Sequence, residues 1–224
     1  MDERTLRELE LAEVTALYGW AQRAVEKVAQ APAALRDVST LDWDSLQEAV
    51  RTCRQCGLCE KRKQAVFGVG SRSGPWMFVG EGPGADEDEL GDPFVGQAGK
   101  LLDSMLAAAG LKRGRDVYIA NVVKCRPPGN RTPTAEEAAA CAGYLDRQIE
   151  LVAPRMLVAL GKTAAIRLLG TEASLSSLRG RMHRYKGIPL VVTYHPAYLL
   201  RTLPDKARAW EDLLFARHAL APAA

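Results

Sequence analysis

Pro75-Trp76-Met77-Phe78-Val79-Gly80-Glu81-Gly82-Pro83-Gly84 is the stretch on which the fold turns. A short run of apolar residues stops abruptly at three glycines, a proline and one acid. Such a run is too short for a helix and is bounded by turn formers, so it reads as a strand buried on both faces. Three more runs of the same kind follow: Val117–Val123, Met156–Leu160 and Pro189–Tyr194. Helical patterns separate and follow them, at Ala98–Ala109, Thr134–Val152, Thr163–Leu169 and Asp205–Ala219. Thr134 with Glu137, just after Pro133, makes a capping box and fixes one helix start. Strands alternating with helices predict an α/β fold with a mainly parallel, four-stranded central sheet covered on both faces. In such sheets ligands bind beyond the carboxyl ends of the strands. The loops after Val79, Ala120, Leu160 and Tyr194 are expected to open onto that one edge.

The remaining sequence bounds the problem further. At 224 residues, one α/β domain with an N-terminal extension is the natural division. Residues 1–45 read as helical extension and linker, with apolar positions between Leu6 and Val28 and a Pro32-containing stretch over 31–40. Residues 46–224 read as the main α/β domain, and a short helix over Trp43–Arg51 leads into it. The N-terminus is too charged for a signal peptide, and no apolar run approaches about 18 residues. A cytoplasmic, monomeric protein with no membrane association is therefore expected. The formal charge is only +3, but basic residues crowd Arg51–Lys63, Lys124–Arg131 and Arg179–Lys186 while acids gather at Asp86–Asp92. A basic surface around a mixed-charge pocket suits a nucleic-acid partner.

Two nucleotide motifs fail on inspection. The glycines after Val79 lack the closing Gly or Ala of a dinucleotide fingerprint, because Glu87 stands there. Leu160-Gly161-Lys162-Thr163 lacks the first glycine of a P-loop, replaced by Met156. What remains is a stiff turn that puts Glu81 at the mouth of a pocket. Gly96 and Gly99 bracket a helix start, where free N–H groups welcome a phosphate. Phe94, on the loop before it, is either a hydrophobic plug or a stacking platform for a base. Asn121, near the end of a buried strand, either bonds backbone or offers a donor and an acceptor to a ligand; a pyrimidine imide edge matches that pair. His195, at the end of the last strand, either fixes a turn or donates to developing negative charge. Leu199-Leu200-Arg201 reads as a helix start or as a wedge for a base stack beside a cation.

Five cysteines in a chain expected to be cytosolic favour metal ligation over disulfides. Cys53 and Cys56 form a C-x-x-C pair, while Cys125 and Cys141 are separated by fifteen residues. Four thiolates so spread fit a [4Fe–4S] cluster better than a zinc ribbon, although spacing alone leaves zinc open. Cys59 is read as the spare.

Taken together, these residues resemble the family 4 uracil-DNA glycosylases, an iron–sulfur-containing group. The resemblance runs from about Cys53 to Arg201. It is carried by Gly80-Glu81-Gly82-Pro83-Gly84, Pro93-Phe94-Val95-Gly96-Gln97-Ala98-Gly99, Asn121-Val122-Val123-Lys124-Cys125-Arg126-Pro127-Pro128 and His195-Pro196-Ala197-Tyr198-Leu199-Leu200-Arg201. It implies a three-layer α/β/α fold and cluster ligation by Cys53, Cys56, Cys125 and Cys141. It implies hydrolysis of the N-glycosidic bond of uracil in single- or double-stranded DNA, leaving an abasic site. Glu81, Asn121 and His195 would be the catalytic residues. Gly82, Glu87 and Phe94 would join Asn121 and His195 around the base, with Glu87 as the wall against a 5-methyl group. Gly96, Gln97, Gly99, Lys100, Leu199, Leu200 and Arg201 would contact DNA. Better-known uracil glycosylases place an Asp where Gly82 stands, so the water must be positioned otherwise. The rival classes are a non-catalytic, cluster-containing nucleic-acid-binding module and an electron-transfer protein; the second leaves the pocket residues unexplained.

Overall fold

A computed structural model describes residues 36–220. The helices expected over 4–29, and the first part of the linker over 31–40, lie outside the described residues. The compact unit begins at Asp37, and Val38 is already buried in its core.

The expected parallel strands form the centre of the sheet. They are β2 (Trp76–Gly80), β3 (Val117–Asn121), β4 (Met156–Leu160) and β6 (Ile188–Thr193). Two short antiparallel strands that the sequence reading missed extend the edges: β1 (Val69–Gly70) beside β3 and β5 (His183–Tyr185) beside β6. The sheet is therefore six-stranded, in the order β1-β3-β2-β4-β6-β5. Runs of two or three residues are too short to show a period of two, so no apolar pattern betrays these edges. β3 stops at Asn121 rather than Val123.

Alternation along each strand divides the core into two layers. Met77, Val79, Tyr118, Ala120, Leu157, Ala159, Leu190 and Val192 face one side. They pack there with α1 (Trp43–Arg51), α4 (Ala135–Val152) and α5 (Lys162–Leu169) through Leu46, Leu145, Ile149 and Leu168. Phe78, Ile119, Met156, Val158 and Val191 face the other side, under Leu102 and Leu106 of α3 (Gln97–Ala108) and Leu213 of α8 (Asp205–Leu220). The result is the expected α/β/α sandwich. Short helices α2 (Ala85–Leu90), α6 (Leu175–Leu178) and α7 (Pro196–Leu199) complete it. The capping box at α4 is present: the Glu137 N–H donates to Thr134 Oγ1 at 3.2 Å, and the Thr134 N–H donates to Glu137 Oε2 at 2.8 Å. Among the described residues no helix is long and apolar enough to cross a membrane.

One loop carries visible strain. Phe94 holds φ at 57°, a left-handed backbone that bulky residues rarely adopt. Two contacts impose it. The Arg113 guanidinium donates to the carbonyls of Pro93 (3.0 Å) and Phe94 (2.9 Å), and is itself held by Asp103. Gly99, in the first turn of α3, packs so closely that a Cβ there would overlap the Phe94 carbonyl. Gly99 is thus buried, and the close packing against the Phe94 carbonyl gives it a structural role beside the DNA contact expected of it. Gly99→Ala is expected to cost about 2–3 kcal/mol through overpacking. Thermal unfolding should show a drop of about 5–10 °C; an unchanged midpoint would mean that the loop tolerates a side chain there.

Candidate active site

β2 lies between β3 and β4, so the chain steps to one side from β2 to β3 and crosses back to the other from β3 to β4, and a crevice opens at the carboxyl end of the sheet. Register aligns Gly80 of β2 with Asn121 of β3, and Leu160 of β4 with Thr193 of β6. Glu81, Asn121 and His195 therefore arrive at one rim. They line a single cleft of about 490 Å³ with Gly82, Pro83, Glu87, Phe94 and Arg201. The loop after β3 adds Pro127, Asn130, Arg131 and Thr132, and the helix after His195 adds Tyr198. Tyr198 belongs to a motif already singled out, but its place in the cleft was not foreseen. For Asn130–Thr132 the only signal was the basic cluster ending at Arg131.

Asn121 forms the floor. It is 2% exposed, yet its Oδ1 has no hydrogen-bond partner. Leaving a buried amide oxygen unpaired costs about 1–3 kcal/mol, which makes it an acceptor waiting for a donor. Gly80 gives it room, because a Cβ there would overlap Asn121 Oδ1 and approach the Phe94 ring to 2.7 Å. Beneath Asn121 lies a buried polar chain missed at the sequence level. Lys124, 1% exposed, donates from Nζ to the Asn121 carbonyl (2.9 Å) and to Gln148 Oε1. Gln148 donates in turn to the Phe67 carbonyl at 2.9 Å. Burial pulls the Lys124 ammonium down to about 8.

His195 and Phe94 face each other, with ring centroids 5.5 Å apart and planes inclined by 30°. His195 Nδ1 accepts from the Ala197 N–H at 3.2 Å, capping α7. With Nδ1 accepting, the single proton of a neutral imidazole sits on Nε2, which becomes a donor. Burial, and secondarily the charge of Arg201, push the imidazole down to about 4, while Glu87 acts in the opposite sense. At neutral pH the ring is uncharged.

Glu81 accepts from the Thr163 hydroxyl through Oε2. Glu87 accepts three backbone N–H groups, from Gly84 (3.0 Å), Val95 (2.9 Å) and Gly96 (3.1 Å). The Gly96 N–H, expected to meet a phosphate, is thus occupied. The Lys100 N–H bonds back to the Gly96 carbonyl at 3.0 Å, so any phosphate-facing N–H of the α3 start falls between them, beside exposed Gln97. The wedge divides as well. Leu199 is 1% exposed, packed with Tyr194 and Ala209, whereas Leu200 is 43% exposed. Leu199 cannot enter a base stack, which corrects one of the two candidates.

The sequence of residues 67–214 matches the profile of the uracil DNA glycosylase superfamily. A type-4 uracil-DNA glycosylase of Thermotoga maritima is 47% identical over 73% of this chain and 85% of its own. One from Pyrobaculum aerophilum is 47% identical over 77% and 92%, and one from Archaeoglobus fulgidus 44% identical over 70% and 82%. The chain belongs to the type-4 uracil-DNA glycosylases. None of the cysteines lines the cleft among the described residues. Cys125 and Cys141 are buried, with Cys53 and Cys56 packed against the same core cluster. Burial raises the thiols of Cys56, Cys125 (to about 11) and Cys141 (to about 12), and each also feels the charge of its neighbours. Two donors already point at sulfur: Arg62 Nη1 to Cys125 Sγ at 2.9 Å and the Lys124 N–H to Cys141 Sγ at 3.4 Å. Arg62 also donates to the carbonyls of Arg51 and Cys53, tying the C-x-x-C segment to Cys125. Among the described residues no group of three or more His, Cys, Asp or Glu side chains is arranged to hold a metal ion. Cys53, Cys56, Cys125 and Cys141 are nonetheless soft sulfur donors within electrostatic reach of one another, a donor type that soft metals and iron–sulfur clusters take.

The His195 cavity makes a pH test available. A depressed histidine binds fewer protons in the native state than in the unfolded chain, so stability rises with pH between about 4 and 6.5 and is complete above that window. NMR titration should place the His195 midpoint near 4; a midpoint near the ordinary 6.5 would mean an open, hydrated ring.

Proposed function

We propose that this protein hydrolyses the N-glycosidic bond between uracil and deoxyribose in DNA, the opening step of base excision repair, and leaves an intact abasic site. The observation that carries the reading is the buried Oδ1 of Asn121, without a hydrogen-bond partner among the described residues, on a residue that lines one cleft with a neutral His195. A base in duplex DNA must leave the stack to be attacked, at a cost of a few kcal/mol. Leu200 would fill the space it vacates, and Arg201, Gln97, Lys100 and the start of α3 would hold the flanking phosphates. Phe94 would stack on the flipped ring. Asn121 Oδ1 would accept the N3–H of uracil while its amide donates to O4. Cytosine reverses both groups and would set acceptor against acceptor and donor against donor. Glu87, held rigidly by three N–H groups, would close the space beside C5 against a methyl group.

As the bond breaks, positive charge grows on the sugar and negative charge on the base. The Nε2–H of His195 would donate to uracil O2, where one preorganised donor is worth about 3 kcal/mol. Glu81 would orient the attacking water, or face the sugar cation, in place of the Asp that Gly82 lacks. Among the described residues no lysine lines the cleft, and Lys124 is tied to Asn121 and Gln148. A Schiff base, and with it strand cleavage, has no nucleophile here.

Cys53, Cys56, Cys125 and Cys141 would hold a [4Fe–4S] cluster. Three segments supply the sulfurs, which suits a broad cluster better than a single zinc ion. When bound, the cluster supplies a covalent cross-link between the C-x-x-C segment, the loop after β3 and α4. Chemical analysis should find iron and acid-labile sulfide in equal amounts, and zinc in their place would overturn the assignment.

The deciding experiment is incubation with a labelled oligonucleotide carrying one uracil, followed by alkali. Cleavage only at uracil, and only after alkali, is expected. Asn121→Ala and His195→Ala should each slow uracil release about 100-fold or more while DNA binding persists. Uracil release unchanged in Asn121→Ala would sink the base-reading role. No alkali-labile site with metal-replete protein would sink the activity.

A further inference from the structure

The Gly161-Lys162-Thr163 turn, which fails as a nucleotide loop, has a different use. Gly161, at φ 88°, donates its N–H to the Thr193 carbonyl at 2.8 Å. That contact binds the end of β4 to the end of β6 and starts α5 immediately beneath the rim of the cleft. Thr163 is the second residue of α5. A threonine in a helix commonly bonds back to its own helix, but the Thr163 hydroxyl donates across the sheet edge to Glu81 Oε2. Thr163 itself is not among the residues that line the cleft. It therefore reaches the chemistry only through Glu81.

We propose that Thr163 is a positioning residue that fixes the Glu81 carboxylate so that it can aim water at the glycosidic carbon; this rests on the reading of Glu81 as the group that orients water. One carboxylate oxygen is held by the hydroxyl, so the other is presented to the cleft in a set direction. Glu81 sits on a Gly-Pro turn with three rotatable side-chain bonds, and freeing it disperses that oxygen over several rotamers. Misplacing a reacting group by about 1 Å can cost 100-fold, whereas substrate affinity does not depend on this bond.

The test is a double-mutant cycle on the full-length, metal-replete protein, read by single-turnover uracil release and by steady-state kcat and KM. Thr163→Val keeps the shape and removes the donor. It is expected to lower kcat about tenfold with KM within about twofold, and Thr163→Ser to restore most of the rate. In a Glu81→Ala background, Thr163→Val should cost nothing further. Thr163→Ala serves as a second donorless variant if the valine disturbs the helix start. Thr163→Val or Thr163→Ala at the wild-type rate, or an equal loss with and without Glu81, would overturn the proposal alone. Glu81→Ala at the wild-type rate would overturn the water-orienting reading and the proposal with it.

Discussion

The structure depends on one constraint: a parallel sheet covered on both faces leaves only the ends of its strands free. Every described residue of the four central strands except the first two of β6 is buried, so no ligand can approach through a face. Chain direction then decides which end matters. With β2 between β3 and β4, the carboxyl ends part and make a crevice, and the register of Gly80 with Asn121 sets the depth of its floor. Glu81, Asn121 and His195 come from segments far apart in sequence. They meet because three strands end at the same level.

Unfavourable features collect around that crevice. Phe94 holds a left-handed backbone, Asn121 has an unpaired oxygen, His195 is denied its charge and Lys124 is buried as a cation. Together they cost several kcal/mol in a fold whose net stability is of the order of 10 kcal/mol. Three of the four are held by something specific: Arg113 and Gly99 behind Phe94, the α7 cap on His195, and Gln148 on Lys124. Elsewhere the chain obeys ordinary rules of patterning and capping. Local conflict concentrated at one place is how a binding site differs from a core.

How much of this was legible follows from the range of each interaction. The central strands and the α4 cap are written in residue types at fixed short spacing, so the sequence announces them. The cysteines announce their chemistry by type, while their mutual arrangement depends on packing that no spacing encodes. Leu199 and Leu200 are adjacent and chemically identical; only the rotation of α7 against Tyr194 and Ala209 buries one and exposes the other. The loss of the Gly96 N–H to Glu87, and the hydroxyl contact between Thr163 and Glu81, join residues on different elements. Nothing local distinguishes those side chains from solvated ones. The edge strands β1 and β5 stay hidden for the opposite reason, being too short to carry any pattern.

Glu87 places a limit on how this site can change. Its carboxylate gathers the N–H groups of Gly84, Val95 and Gly96, so a single side chain lines the cleft and also fastens the loop that presents Phe94. A substitution that reshaped the wall for a different base would release that loop at the same time. A change of wall at this position is therefore coupled to the placement of Phe94.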